Sequence, residues 1–187
     1  MRIAAMDLGT NTFLCLVAEK DFSGQPAVIW DGVEIVRLGQ GIDQTGLLHP
    51  DALARGRTCL EQFKQKCLEF KVDKIMALAT SAARDAKNKD QFLEILSDLQ
   101  IPLKIISGSE EAHYTYHGGL FGFAEDVLNK HDENIVIDIG GGSTEIILGH
   151  HKNILWAESL NIGGVRLTEK FISQQPVSAE DWSKAQQ

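Results

Sequence analysis

Residues 138–145, Asp-Ile-Gly-Gly-Gly-Ser-Thr-Glu, place two carboxylates, two hydroxyls and three consecutive glycines in one short stretch. Gly140, Gly141 and Gly142 leave backbone N–H groups with no side chains in front of them, and such a turn can curl its amides around an anion. Ser143 and Thr144 add hydroxyls that can donate to phosphate oxygens. Asp138 and Glu145 stand at the two ends of the turn, and carboxylates do not attract phosphate. The role that suits them is to hold a hard cation such as Mg²⁺, which itself meets the phosphate. The competing reading is an ordinary glycine hairpin with two solvated acids. It accounts for a bare triple glycine but not for the acids, the hydroxyls and the apolar strands outside them.

A second stretch is built the same way. Asp7-Leu8-Gly9 matches Asp138-Ile139-Gly140, and the polar turn Gly9, Thr10, Asn11, Thr12 lies between two apolar runs. Asp7 is therefore a candidate cation ligand, and the turn a candidate phosphate binder. The likeness continues downstream: a polar hairpin tip (21–25; 149–153), a third strand holding Trp30 or Trp156, and then Val36-Arg37-Leu38 or Val165-Arg166-Leu167. This reads as a weak internal repeat of a three-strand meander, expected of two like domains with a phosphate turn from each lining one cleft.

Glu111 is the candidate for proton transfer. Ser107-Gly108-Ser109-Glu110 fits a capping box in which Glu110 reaches back to the helix start. That leaves Glu111 over, in a first turn whose field favours an ionised carboxylate able to accept a proton from water. The alternative, that both acids only satisfy the helix start, has equal support from the pattern. Arg84 lies in residues 80–85, which follow a buried strand at the carboxyl end where open α/β sheets carry function. His113 and His117 share a helix face, but Tyr-Thr-Tyr between them supplies no third ligand for zinc. His150 and His151 read as solvated, and Tyr114 and Tyr116 as packing residues with wet hydroxyls.

These residues need strands that end at the turns and helices that back them. Ile3–Met6, Phe13–Ala18, residues 75–79, Leu103–Ile106 and the flanks of 138–145 read as strands. Leu53, Leu60, Phe63, Cys67 and Phe70 fall at helical spacing after Pro50-Asp51, and Asn88–Leu99 is a second helix. Residues 165–172 form a short helix. Ser178-x-x-Asp181 caps a helix start with little chain after it, which suggests a truncated second domain. The polar stretch 124–133 places the boundary, giving domains 1–124 and 125–187.

The 187 residues are 43% hydrophobic and 24% charged, with a net charge of -8 and a pI of about 5.2. No basic run suits duplex nucleic acid, so an anionic ligand must be held locally. No apolar run nears membrane-spanning length, and Asp7 interrupts any signal-peptide pattern. Cys15, Cys59 and Cys67 are simplest as buried free thiols in a reducing cytosol.

Taken together, MDLGTNTF (6–13), VRLGQGID (36–43), ATSAARDA (79–86), ISGSEEAHYTYHG (106–118), DIGGGSTE (138–145) and SLNIGGVRLTE (159–169) resemble the blocks of the exopolyphosphatase/guanosine pentaphosphate phosphohydrolase family. The resemblance covers the whole chain. It implies an α/β fold of ribonuclease H-like domains of the actin and sugar kinase superfamily, here one complete N-terminal domain and the start of a second. It implies a cytoplasmic hydrolase that releases terminal phosphate from polyphosphate or guanosine pentaphosphate with Mg²⁺. The family's proposed base falls on Glu111, its magnesium and phosphate-positioning roles on Asp138 and Glu145, and its position near the reacting phosphate on Asn11. Arg84 matches a family arginine that clamps or supports the chain. Family members often dimerise, so a homodimer is implied as well. One position departs: Leu14 stands where the family commonly carries a basic residue or histidine. Two rivals stay open. One is an ATP-dependent kinase of the superfamily, for which no sugar pocket is evident. The other is a sensor that binds guanosine tetra- or pentaphosphate without turnover.

Overall fold

In the computed structural model, which describes residues 1–21, 26–121 and 133–186, period-two alternation decides which side chains enter the first core. Strand β1 (Arg2–Leu8) buries Ala4, Met6 and Leu8, and β2 (Thr12–Lys20) buries Phe13, Cys15 and Val17 on the same face. β3 (Pro26–Ile35) pairs antiparallel with β2. β4 (Lys74–Ala79) and β5 (Leu103–Ile105) run parallel to β1, giving the order β3-β2-β1-β4-β5.

Helices cover the buried face. After the short α1 (Ile42–Thr45), α2 (Pro50–Glu69) turns Leu53, Cys59, Leu60, Phe63 and Cys67 inward at helical spacing. Its start is capped by His49, whose Nδ1 accepts from the Asp51 amide at 3.2 Å, with Pro50 at the first helical position. α3 (Ser81–Asp85) is a short helix that follows β4 directly. α4 (Lys89–Asp98) buries Phe92, Ile95 and Leu96, and Phe92 meets Phe13 with ring centroids 6.0 Å apart.

The second unit is a smaller sheet, β6 (Asn134–Ile139), β7 (Thr144–His150) and β8 (Asn153–Leu160), antiparallel in that order. Helix α5 (Gly108–Phe121) packs on it through Ala112 and Tyr116 against Ile147, with Leu120, Val136 and Ile154 around them. The chain divides into Met1–Ile105 and Ile106–Gln187, so α5 groups with the second sheet, ahead of the boundary expected at 124/125. That expected boundary lies outside the described residues. The reason for the observed grouping is the apolar stripe of α5, which is buried on β7 and β8. Tyr116 is fully buried, and its hydroxyl is not wet: it donates to the His151 carbonyl at 2.7 Å. Gly149 leaves room for that ring, which a Cβ there would strike.

Two short helices follow, α6 (Gly164–Phe171) and α7 (Ala179–Ala185). Ser178 does cap a helix, accepting from the Asp181 amide at 3.0 Å. Asp181 Oδ2 in turn accepts from the Ser173 amide and hydroxyl at 2.9 and 2.8 Å.

The internal repeat is visible in the registers. Asp7 pairs with Leu14 and Asp138 with Glu145. The ladder between second and third strands slips at Val17/Ala18 in one sheet and at Leu148/Gly149 in the other. At that slip Val17 faces Trp30, and Leu148 faces Trp156.

Candidate phosphate and cation site

Each candidate turn is closed by one backbone bond in the same place. Gly9 N–H donates to Thr12 O at 3.1 Å, and Gly140 N–H to Ser143 O at 2.9 Å. A Cβ on either glycine would come within 3.0 Å of Thr12 O or 3.1 Å of Ser143 O.

What aims the second turn is the start of α6. Gly164 N–H donates to Gly140 O at 2.9 Å, and Val165 and Arg166 N–H donate to Gly141 O at 2.9 and 3.2 Å. Arg166 Nε donates to Gly142 O at 2.9 Å. In a trans peptide the C=O and the following N–H point opposite ways. Holding the carbonyls of 140, 141 and 142 toward α6 therefore turns the N–H groups of Gly141, Gly142 and Ser143 away from it. Among the described residues these three donors have no acceptor. Unpaired backbone donors side by side make an anion nest. Gly163 permits the approach: a Cβ on it would meet Gly141 O and lie 2.6 Å from Gly142 N.

The first turn is held by its own copy of the same dipeptide. Val36 and Arg37 N–H donate to Asn11 O at 3.0 and 2.8 Å, and Gly39 N–H to Thr10 O at 2.9 Å. Thr10 is buried, and its hydroxyl bonds the Ser81 hydroxyl at 3.0 Å. Asn11 and Thr12 are half-buried, with Asn11 Nδ2 3.4 Å from Thr12 Oγ1. Ser81, at the start of α3, touches the turn, while Arg84 lies at the end of that helix with Nε 3.9 Å from Asp85 Oδ1.

The hydroxyls of the second turn divide. Thr144 donates to Ile162 O at 2.6 Å and so ties the turn to the loop before α6. Ser143 is buried with its hydroxyl unpaired among the described residues, which leaves it as the donor for a ligand.

Glu145 is 1% exposed, and Ser159 donates to its Oε1 at 2.7 Å. Exposed Asp138 stands directly opposite it on β6. Facing like charges on a ladder repel, and a buried carboxylate needs more compensation than one hydroxyl. A bound cation would supply both. Among the described residues no group of three or more His, Cys, Asp or Glu forms a metal site. The two facing carboxylates are a donor set that would suit magnesium, which takes one or two carboxylates and completes its shell with water and phosphate. His113 and His117 have rings 4.4 Å apart, and among the described residues no third ligand joins them. Asp7 faces Leu14 in the first sheet and has no acid opposite it.

The capping box forms as expected. Glu110 Oε2 accepts from the Ser107 amide at 2.9 Å, and the Ser107 hydroxyl accepts from the Glu110 amide at 3.2 Å. Glu111 is half-buried in the same turn. That turn abuts β8, since a Cβ on Gly108 would lie 2.7 Å from Ser159 Cβ. The second unit thus gathers Asp138, 140–144, Glu145 and the first turn of α5. Asp7, Gly9–Thr12 and Arg84 belong to the first unit. Sequence reasoning missed Ser159, Gly163 and the anchoring role of Arg166. The repeated Val-Arg-Leu was noticed only as a mark of duplication.

A model of the Ppx/GppA phosphatase family matches residues 16–187. The chain is 36% identical over 193 residues to Exopolyphosphatase 2 of Mycobacterium tuberculosis, covering 98% of this chain and 59% of that protein. Among solved structures, an exopolyphosphatase from Cytophaga hutchinsonii is 30% identical with a TM-score of 0.84, over 98% of this chain and 58% of that one. The Aquifex aeolicus member of the Ppx/GppA family is 32% identical with a TM-score of 0.75, over the same shares. The chain thus spans somewhat over half the length of the relatives it matches. More distant structures, an ethanolamine utilization protein EutJ from Carboxydothermus hydrogenoformans (17% identical, TM-score 0.52) and a PilM-PilN type IV pilus biogenesis complex (12% identical, TM-score 0.58), share the α/β fold alone.

Proposed function

The chain belongs to the Ppx/GppA phosphatase family, and from that premise we propose that it acts on inorganic polyphosphate, hydrolysing the terminal phosphoanhydride to release orthophosphate. Guanosine pentaphosphate is the second substrate the proposal admits. The observation that carries it is the triple-glycine turn, its carbonyls held by α6 and three neighbouring amides left as donors, beside a buried glutamate.

In this reading the amides of Gly141, Gly142 and Ser143, with the Ser143 hydroxyl, bind phosphoryl oxygens. The first turn, Gly9 to Thr12, is a phosphate-binding turn of its own unit, and Arg84 clamps or supports the polyphosphate. Glu111 accepts the proton of the attacking water. Asp138 and Glu145 hold Mg²⁺, and Asp7 is the matching candidate cation ligand of the first unit. When bound, the ion offsets charge on the phosphoryl oxygens. Phosphoryl transfer needs positioning and electrostatic stabilisation more than covalent help, and these residues supply both.

Leu14 favours a second reading. With leucine opposite Asp7, the first turn gains no cation or basic residue there. A binder that does not turn over its ligand would tolerate this. Calorimetry with polyphosphate, guanosine pentaphosphate and guanosine tetraphosphate, run beside a phosphate-release assay in Mg²⁺, separates the readings. Release from polyphosphate is the expected result. Tight binding of the nucleotides with no release would replace the hydrolase with the sensor.

A further inference from the structure

We propose that Ser159 is a positioning residue for the divalent cation site, fixing the Glu145 carboxylate and seating the first turn of α5 beside it; this rests on the reading of Asp138 and Glu145 as the cation's ligands. Three observations point to it. First, Ser159 Oγ donates to Glu145 Oε1 at 2.7 Å, and Glu145 is 1% exposed. Among the described residues no other side chain donates to that carboxylate. A buried carboxylate held by one donor takes its orientation from that donor, and the remaining oxygen is left for a cation.

Second, Ser159 lies in register. Asp138, Glu145 and Ser159 form one row across β6, β7 and β8. The equivalent row of the first sheet is Asp7, Leu14 and Val33. The hydroxyl therefore occurs in the repeat that has the second acid and is absent from the repeat that lacks it. If Ser159 served only to build the meander, the first sheet would have the same use for it.

Third, Ser159 is where α5 lands. Gly108 comes so close that a Cβ on it would lie 2.7 Å from Ser159 Cβ and 2.8 Å from its Oγ. Glu111 follows in that same turn. One small hydroxyl residue thus orients the proposed ligand and supports the helix start that carries the proposed base.

The test uses this chain, its Ser159→Ala, Ser159→Cys and Glu145→Gln variants, and Mn²⁺ as a spectroscopic probe of the magnesium site. Electron paramagnetic resonance titration gives the affinity, and thermal unfolding shows that each variant is folded. Loss of a residue supporting a metal ligand weakens binding about tenfold or more. Ser159→Ala and Ser159→Cys are both expected to show that loss while still unfolding cooperatively. Cysteine keeps the volume and loses the strong donor, so it carries the test if alanine does not fold. Wild-type affinity in either folded serine variant, with Glu145→Gln impaired, overturns the role of Ser159 and leaves the cation site standing. Wild-type affinity in Glu145→Gln, or no Mn²⁺ binding by the parent chain, removes the cation site and this proposal with it.

Discussion

Leu14 holds, opposite Asp7, the register position that Glu145 holds opposite Asp138. The two repeats are therefore alike in backbone and unlike in charge. Only the second sheet pairs two carboxylates, and only there is one of them buried. A chain with two equal turns would be expected to bind two cations. This one is expected to bind a single Mn²⁺, with Asp7→Asn keeping the parent affinity and Glu145→Gln losing it. Calorimetric stoichiometry decides it. Two ions per chain, or a greater loss in Asp7→Asn, would contradict the assignment.

The anchoring of the triple-glycine turn yields a second prediction. Gly163→Ala places a Cβ against Gly141 O and 2.6 Å from Gly142 N, both backbone atoms that cannot swing aside. The turn must move, and with it the amides that α6 aims. Overpacking of this kind typically costs about 1–3 kcal/mol. Polyphosphate affinity should fall more than tenfold by calorimetry, because the donors lose their common direction. Gly118→Ala, where a Cβ meets nothing within 4 Å, is the control and should leave both unchanged or slightly raise stability.

Much of this site could be read from the sequence, and the parts that could not share a cause. Alternation and helical spacing are local, so β1, β2, α2 and α4 were legible, as were both turns and the Ser107–Glu110 box. The Asp7/Asp138 repeat was legible because it copies residue types in order. Ser159 was not, because its meaning depends on which β8 residue faces Glu145, and a slip at Leu148/Gly149 sets that register. The carbonyl anchors were not, because backbone donors at 164–166 carry no residue signature. The grouping of α5 with the second sheet was hidden for a related reason. A polar stretch after a helix suggests a boundary, while burial of Ala112 and Tyr116 on β7 and β8 decides the matter.

The thiols give a prediction with a pH sign. Burial, with Glu34 nearby, pushes the Cys59 thiol up to about 12 from an ordinary 9.0. The hydrogen bond between Cys15 and Cys67, together with burial, raises Cys15, and the same bond lowers Cys67. A thiol with a raised folded pKa contributes stability that is complete below its unfolded pKa. That contribution is lost as pH rises toward the folded value. For Cys59 the window runs from 9.0 to about 12. A thiol ionised only in the unfolded chain costs about 1.4 kcal/mol per pH unit there. Denaturant unfolding at pH 7, 9 and 10.5 should show falling stability, and Cys59→Ala should fall less steeply. Native protein at pH 8 should resist a thiol reagent at Cys15 and Cys59, which are 1% and 4% exposed, until it is unfolded. Fast labelling of either in folded protein would contradict their burial.

The neighbours Glu110 and Glu111 should separate stability from turnover. Glu110 Oε2 accepts from the Ser107 amide and hydroxyl at 2.9 and 3.1 Å, and so closes the start of α5. Glu110→Ala removes half of a reciprocal cap, an effect of about 0.5–2 kcal/mol. Thermal unfolding should report it. Glu111→Gln keeps the size and the helix start and removes the charge that would accept a proton, so it should destabilise less than Glu110→Ala does. Phosphate release from polyphosphate should fall about a hundredfold or more, the usual loss when a general base is removed. Polyphosphate affinity should hold, because the proposed reading gives the grip on phosphate to the turn amides and not to Glu111. If Glu111→Gln weakened binding and release equally, Glu111 would be a ligand contact. If it lowered the unfolding midpoint as far as Glu110→Ala does, both acids would belong to the cap, and the water would need another base.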